Sequence, residues 1–341
     1  MKIAFLNLYS GVNNRGAESF AHELALRLIQ KEHRVDFYTG PQMGAKIVQP
    51  EHNLKNPLKR FFLDKASLAV LFFTLKTFPK LWKKKYDWII PMNGFWQVLL
   101  CKFIFRSKTL ITGHSGPGWD ERWNLWLKPN VFVATTEPTA KWAKKVSPWT
   151  RVMTIPYGID ISHFLSAKPA KVNLKKPIIL CIAAAVEYKR VDTAIRAVAK
   201  MKEGSLLYLG TGPLLPELKN LGEKLLGKRF LNLAVSYDEM PSYYKSCDVV
   251  TLPSSSQENS PMTFLEALAV GKMTVATDAP RPRWILGDAG IFVDPTDTQA
   301  YAAALQKAID FKDKSIISLQ AEKYKWERII EKYEEVLDRK T

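Results

Sequence analysis

Ser254-Ser255-Ser256-Gln257-Glu258-Asn259-Ser260-Pro261-Met262-Thr263-Phe264-Leu265-Glu266-Ala267-Leu268-Ala269-Val270-Gly271 is the stretch whose reading decides the fold. The apolar run before it, Val249-Val250-Thr251-Leu252-Pro253, has the length of a buried strand. Ser260 suits the N-cap of a helix, and Pro261 suits its first position. Phe264, Leu265, Leu268 and Ala269 then recur at helical spacing until Gly271 ends the run. A strand therefore feeds a loop, and the loop feeds a helix whose first N–H groups point back at the strand end. Such a helix start attracts anions. Glu258 sits in the loop and Glu266 on the helix, with seven residues between them. At helical rise that separation spans about 12 Å.

The chain has 341 residues, which suits two domains better than one, and its 47% hydrophobic content is that of a globular protein. Cys101, Cys181 and Cys247 lie far apart among apolar neighbours and show no metal or redox spacing. They read as buried thiols in a reducing compartment. The formal charge of +17 calls for an acidic partner: nucleotide phosphates, nucleic acid or an anionic membrane. The opening Met1-Lys2-Ile3-Ala4-Phe5-Leu6 reads as a strand rather than a signal peptide. No apolar run approaches the roughly 20 residues of a spanning helix. The expected location is cytoplasmic, with peripheral attachment to the inner face of the membrane as an option.

Taken in order, residues 3–8 read as a strand, followed by a loop with Gly11 and Gly16, a helix carrying Phe20, Leu24 and Leu28, and a second strand over 34–39. This is a βαβ opening. The loop lacks the Lys-Ser/Thr of a P-loop, because Ala17 and Glu18 stand there, and no G-x-G-x-x-G is present. Residues 55–86 hold Lys55, Lys59, Arg60, Lys65, Lys76, Lys80, Lys83, Lys84 and Lys85, interleaved with Phe61, Phe62, Phe72, Phe73, Phe78 and Trp82. Such a segment fits the headgroup layer of an anionic membrane, at about 1 kcal/mol per lysine near the surface. A helix pair with a solvated basic face is the other reading. Nucleic-acid binding is not expected, because no nucleic-acid module is visible. Strands are read over 87–91, 109–113 and 131–135, and the second of them ends in His114 and a Gly-rich run. Strand C-termini of a parallel sheet line the ligand crevice, so His114 falls where chemistry would sit. Lys168 to Pro177 reads as a linker. Strands over 177–185 and 205–209 follow, and then Asp278-Ala279-Pro280-Arg281-Pro282-Arg283, read as a basic loop.

These motifs together resemble the retaining glycosyltransferases of family 4, which have the GT-B fold. Glu258 and Glu266 match the E-x7-E motif, in which the first Glu contacts the donor sugar and the second holds the ribose. Gly16 matches a glycine of the first loop that approaches the donor diphosphate, with Arg15 where the family often has a second glycine; a plain tight turn is the alternative. His114 matches the functional His near donor sugar and acceptor. Ile155-Pro156-Tyr157-Gly158-Ile159-Asp160 with Phe164 is similar to I-P-N-G-V-D-x-x-x-F, Tyr157 replacing Asn. Lys189 and Asp192 match, but Ala184 stands where the family has an Arg that, with the Lys, neutralises the leaving diphosphate. Arg190, Arg281 and Arg283 are candidates to replace it. Gly210 and Gly212 match a G-x-G-P turn that lets backbone approach the ligand, or that simply turns the chain. Ser236 and Tyr237 fall near the base-recognising segment. Gly290 to Pro295 resembles a late family element. The last helix is expected to return to the first domain.

The resemblance implies an α/β, GT-B architecture of two doubly wound Rossmann-like domains facing a central cleft. The first is expected over 1–167, joined by the C-terminal helix at about 323–341, and the donor domain over 168–322. The implied reaction moves a hexose from a UDP-, GDP- or other nucleoside-diphosphate sugar to an acceptor hydroxyl, with retention, in cell-envelope glycan or glycolipid synthesis. Catalytic candidates are His114, Lys189 and Glu258. Donor-binding candidates are Gly16, Arg190, Gly210, Gly212, Ser236, Tyr237, Ser260, Pro261, Met262, Thr263 and Glu266. No metal site and no cofactor beyond the sugar nucleotide are expected. The partners are that donor, a glycan or lipid-linked acceptor, and an anionic surface met by residues 55–86. The rival readings are a sugar-nucleotide epimerase or phosphorylase of the same fold, and a non-catalytic sugar-nucleotide or membrane-binding module. Base, sugar, acceptor and linkage are not written in these motifs.

Overall fold

The computed structural model describes residues 1–12, 16–49, 57–103, 107–255 and 258–338. The chain divides into two compact units, Met1–Pro156 with Ile329–Thr341, and Tyr157–Arg328. Residues 157–167 thus fall in the second unit. Lys55, Arg15, Ser256 and Gln257, all drawn on above, lie outside the described residues.

The first unit is built on β1 (Lys2–Asn7), β2 (Arg34–Thr39), β3 (Trp88–Pro91), β4 (Lys108–Gly113), β5 (Val131–Ala134) and β6 (Arg151–Thr154). They form one sheet in the order β2-β1-β3-β4-β5-β6, every neighbouring pair parallel. β3 and β5 are buried along their whole length, as strands covered by helices on both faces must be. β6 has no counterpart in the sequence reading. Each of its residues is only half-buried at the sheet edge, so its apolar signal is weak. Two helices, Pro57–Arg60 and Lys65–Lys84, occupy the basic aromatic segment. Asp64 caps the longer one, accepting from the backbone N–H groups of Ala66 and Ser67.

The helix Trp326–Asp338 begins in the second unit, and from Ile329 it belongs to the first. There the Trp88 indole donates to the Leu337 carbonyl at 3.1 Å, and the Tyr333 ring packs against Phe20. Tyr324, read as part of this helix, lies before its first turn.

The second unit holds β7 (Ile178–Ile182), β8 (Ser205–Leu209), β9 (Phe230–Leu233), β10 (Val249–Leu252), β11 (Thr274–Thr277) and β12 (Gly290–Val293). Their order is β12-β11-β10-β7-β8-β9, again all parallel. Strand order reverses between β7 and β10. Two doubly wound Rossmann-like sheets are thus present, as the GT-B reading requires.

Two local readings are corrected. The helix after β10 runs Met262–Ala269, one residue later than read, and Pro261 rather than Ser260 holds its N-cap position, with no side-chain cap. Residues 278–283 are not a loop, because a helix starts at Pro280 and runs to Leu286. Pro280 and Pro282 fall in its first turn, where a helix needs no N–H donor from them.

Gly158, in the Ile-Pro-Tyr-Gly-Ile-Asp turn, has a backbone requirement. A Cβ there would lie 2.3 Å from the Trp326 ring, and Ile159 N–H donates to Tyr324 O at 2.8 Å beside it. Gly158→Ala should cost about 1–3 kcal/mol by overpacking. Thermal and urea melts of the variant should both shift to lower stability; an unchanged melt would contradict this packing.

Candidate functional site

The reversal of strand order between β7 and β10 sets the C-terminal loops of these two strands apart, and a crevice at such a point is where open α/β sheets take ligands. The loop after β7 holds Ala183 to Arg190, and the loop after β10 holds Pro253 to Pro261. They are stitched together, since Ser255 N–H donates to Tyr188 O at 2.7 Å. Beside this bond the Lys189 ammonium pairs with the Glu258 carboxylate, their side chains only 14% and 16% exposed. The Lys189 ammonium also lies 5.2 Å from the centre of the Tyr188 ring. On the far side, Thr277 Oγ1 donates to Ser254 O and Arg281 Nε donates to Glu258 O at 2.7 Å. Burial lowers the Arg281 pKa, and the nearby Glu258 charge works against that. Lys189, Glu258 and Arg281 thus meet at one point, although the first two come from separate loops and Arg281 from the first turn of the helix Pro280–Leu286.

The helix Met262–Ala269 starts at the same place. Thr263 Oγ1 reaches Ile182 O, the last residue of β7, at 3.5 Å. Thr263 is buried, Ser260 and Met262 half-buried, and Pro261 buried. One turn on, Glu266 is 5% exposed and accepts from the Tyr244 hydroxyl at 2.6 Å. Burial pushes its pKa up to about 7, opposed by the Tyr244 hydrogen bond. Tyr244 was not singled out from sequence. A tyrosine in a Tyr-Tyr pair carries no sign of which ring turns inward.

The remaining candidates spread more widely. Arg190 has φ 49° and ψ 43°, a left-handed conformation that costs a non-glycine residue about 1–2 kcal/mol. It lies at the start of the helix Val191–Lys200. Arg283 is exposed and held by both Asp278 carboxylate oxygens at 2.5 and 2.8 Å. Ala184 is exposed in the loop after β7. Gly210 and Gly212 answer to the chain itself. A Cβ on Gly210 would meet Ala183 O at 2.0 Å, and one on Gly212 would meet Ala185 backbone at 2.9 Å. Their turn is locked onto the β7 loop by Ala185 N–H donating to Thr211 O. Ser236 is exposed and forms a capping box with Glu239, and Tyr237 is 40% exposed. Both follow β9, at the sheet edge, two strands from the reversal.

In the first unit, Gly16 opens the helix Gly16–Gln30 and is exposed. His114 follows β4, its ring edge-on to Phe20 at 5.5 Å. Burial drops its pKa to about 4, so it is neutral at physiological pH. It borders a cavity of about 250 Å³ that Tyr9, Phe62, Phe95, Glu121 and Asn124 also line. Glu121 and Asn124 were not picked out from sequence. On a helix reading Trp-Asp-Glu-Arg-Trp-Asn they look like part of a solvated face. Among the described residues no group of three or more His, Cys, Asp or Glu is placed to hold a metal ion.

Residues 14–163 match the family model Glycosyltransferase Family 4, and residues 165–325 match Glycosyl transferases group 1. The two matched stretches follow one another along the chain, and each covers a little less than half of it. It is 24% identical over 187 residues to a GDP-mannose-dependent alpha-(1-6)-phosphatidylinositol monomannoside mannosyltransferase of Mycolicibacterium smegmatis, a match that covers 49% of each chain. It is 29% identical over 135 residues to the lipopolysaccharide core biosynthesis glycosyltransferase LpsE of Rhizobium meliloti, covering 39% of each. The chain therefore spans about half or less of the length of these curated relatives. The crystal structure of Anabaena HepE in complex with UDP superposes with a TM-score of 0.74 over 99% of both chains at 18% identity, which is a likeness of fold.

The Glu266 environment sets a pH dependence. Its folded-state pKa of about 7 exceeds the ordinary 4.5, so the folded protein keeps a proton that the unfolded chain releases. That stabilisation is complete below about pH 4.5 and is lost as pH rises to about 7. Glu266→Gln keeps the acceptor for Tyr244 and removes the charge. Its melting temperature should therefore gain on the wild type as pH rises from 4.5 to 7.5; a constant difference would show that the carboxyl is not held this way.

Proposed function

We propose that the chain transfers a sugar from a nucleoside-diphosphate donor to an acceptor hydroxyl, with retention at the anomeric carbon, in the assembly of a cell-envelope glycan or glycolipid. The observation that carries this reading is the meeting of Lys189, Glu258 and Arg281 beside the start of the helix Met262–Ala269, at the strand-order reversal of the second sheet. The two family matches and the envelope-glycan relatives support it.

In this reading the donor diphosphate sits at the helix start, where Ser260, Met262 and Thr263 offer backbone N–H groups and the helix dipole favours negative charge. Glu266 accepts from the ribose hydroxyls, with Tyr244 fixing its orientation. The donor loosens the Lys189–Glu258 pair: the ammonium turns to the phosphate and the carboxylate to the sugar. The acceptor oxygen bonds to the anomeric carbon as the bond from that carbon to the phosphate oxygen breaks. The nucleoside diphosphate departs, and the hydroxyl proton passes to it. Charge growing on the leaving phosphate is what such a site must stabilise. Lys189 and Arg281 supply the two cations, Arg281 replacing the one missing at Ala184. Arg283 is committed to Asp278, and Arg190 lies at the start of the helix Val191–Lys200. The neutral His114 binds a sugar hydroxyl. No divalent ion enters this scheme.

A membrane surface is part of the proposal. Leu58, Phe72, Leu75 and Trp82 are 44–62% exposed on the helices Pro57–Arg60 and Lys65–Lys84, and Phe61, just after the first, is 65% exposed, next to exposed Arg60, Lys65, Lys76, Lys80 and Lys83. Apolar rings between cations suit anionic headgroups. Among the described residues no helix is long and apolar enough to cross a membrane.

A thermal-shift screen of UDP-, GDP- and ADP-sugars should find one donor family that raises the melting temperature. With that donor, Lys189→Ala and Arg281→Ala should each cut transfer at least about 100-fold in folded protein, while Arg190→Ala should leave most of it. Release of an epimer, or of a sugar 1-phosphate when inorganic phosphate is supplied, in place of a glycosylated acceptor would point to the epimerase or phosphorylase reading. In flotation with phosphatidylglycerol vesicles, the double variant Phe72→Ser, Trp82→Ser should lose most of the wild-type binding. Equal flotation would remove the surface from the proposal.

A further inference from the structure

The cavity of the first unit has a chemistry opposite to that of the whole chain. The protein carries a net charge of +17, yet the acidic and basic side chains on this cavity wall are Asp64, Asp120, Glu121, whose carboxyl pKa is pushed up to about 7 by burial, and a single lysine, Lys59. His114, also on the wall, is neutral. Asp64 is already engaged at the start of the helix Lys65–Lys84.

Glu121 and Asn124 form the polar floor, each only 4% exposed. Glu121 Oε1 accepts from Ser115 N–H at 3.2 Å, and Oε2 accepts from the Asn124 amide at 3.1 Å. The other end of that amide, Asn124 Oδ1, is buried with no hydrogen-bond partner. A buried acceptor left unmade costs about 1–3 kcal/mol, so it is a natural receiver for a ligand hydroxyl. The apolar side is an aromatic wall. Phe62 and Phe95 stack at 4.4 Å, and Trp123 meets Phe95 edge-on at 5.6 Å. At about 250 Å³ the cavity falls below the roughly 300–1,000 Å³ of drug-sized ligand pockets, so it has room for one ring.

We infer that this cavity binds an uncharged, hydroxyl-rich ring of the acceptor, a single pyranose or cyclitol. Asn124 Oδ1 and the Glu121 carboxyl receive neighbouring hydroxyls, and the Phe62 and Phe95 wall covers the C–H edge. A phosphate on the same ring would meet three carboxyl side chains and one ammonium, and is rejected there. If the acceptor carries a phosphate, that group lies outside this cavity. The assignment of the ring to the acceptor rests on the transferase reading; the binding site itself does not.

The test uses the full chain and saturation-transfer NMR with methyl α-D-glucopyranoside, methyl α-D-mannopyranoside and myo-inositol, set against glucose 1-phosphate at equal concentration. At least one uncharged ring should bind better than glucose 1-phosphate. Preference for the phosphate, or no transfer to any uncharged ring, overturns the inference, and neither result depends on a variant folding. Glu121→Gln is the informative substitution. Its amide must face that of Asn124, which then turns and spends Oδ1 on it. Binding of the uncharged ring should fall at least tenfold, with the donor thermal shift intact. Unchanged ring binding overturns the assignment of these two residues. Ring binding with no donor shift from any sugar nucleotide would sink the transferase reading and leave the ring site standing.

Discussion

The reversal of strand order between β7 and β10 is the constraint on which the candidate site depends. Parallel neighbours wound in one direction send their crossover helices to one face, and at the reversal the helices part and leave a gap over the strand ends. Into that gap the chain places a cation from one loop and a carboxylate from the other, Lys189 and Glu258. Two largely buried charges are tolerable because they neutralise each other; stripped of its partner, either would carry a desolvation cost of several kcal/mol. Each charge therefore has its counterion at the strand ends. Arg281, bonded to the Glu258 carbonyl, adds positive charge.

That arrangement was legible in part from the residues alone. The strand–loop–helix around 249–271 could be read because its signals are local: a β-branched run, a proline, helical spacing, a closing glycine. The pairing of Lys189 with Glu258 could not, since 69 residues separate them and only sheet order brings them together. Pro280 and Pro282 were misleading because proline punctuates loops far more often than it opens helices, and here both fall in a first turn. Glu121 and Asn124 were missed for a different reason. Three residues apart on a charged helix, they have the pattern of a wet surface, and burial appears only when the helix is laid against the loop after β4 and the aromatic wall. Gly210 and Gly212, in a motif associated with ligand approach, are also required by one loop packing on another.

Charge is distributed by place. The excess of lysine and arginine is concentrated on outward-facing positions such as Arg60, Lys65, Lys76 and Lys83, with exposed rings between them. Inside the first unit the lining turns acidic, and in the second a compact set of cations gathers near a helix start. A formal charge summed over the chain therefore describes the surface a protein presents, and says little about what its interior cavities accept.

The first unit is discontinuous, and this has a bearing on how the protein is made. Its core is closed by Tyr333, Val336 and Leu337, all buried, with the Leu337 carbonyl taken by the Trp88 indole. During synthesis the first six strands leave the ribosome long before this helix does. They must wait, with apolar surface uncovered, through the translation of an entire second unit. That second unit is contiguous in the chain and has no such delay. The natural order of maturation is therefore inverted, the later-made unit closing first, and the early one is the stretch that a nascent-chain chaperone would have to shield.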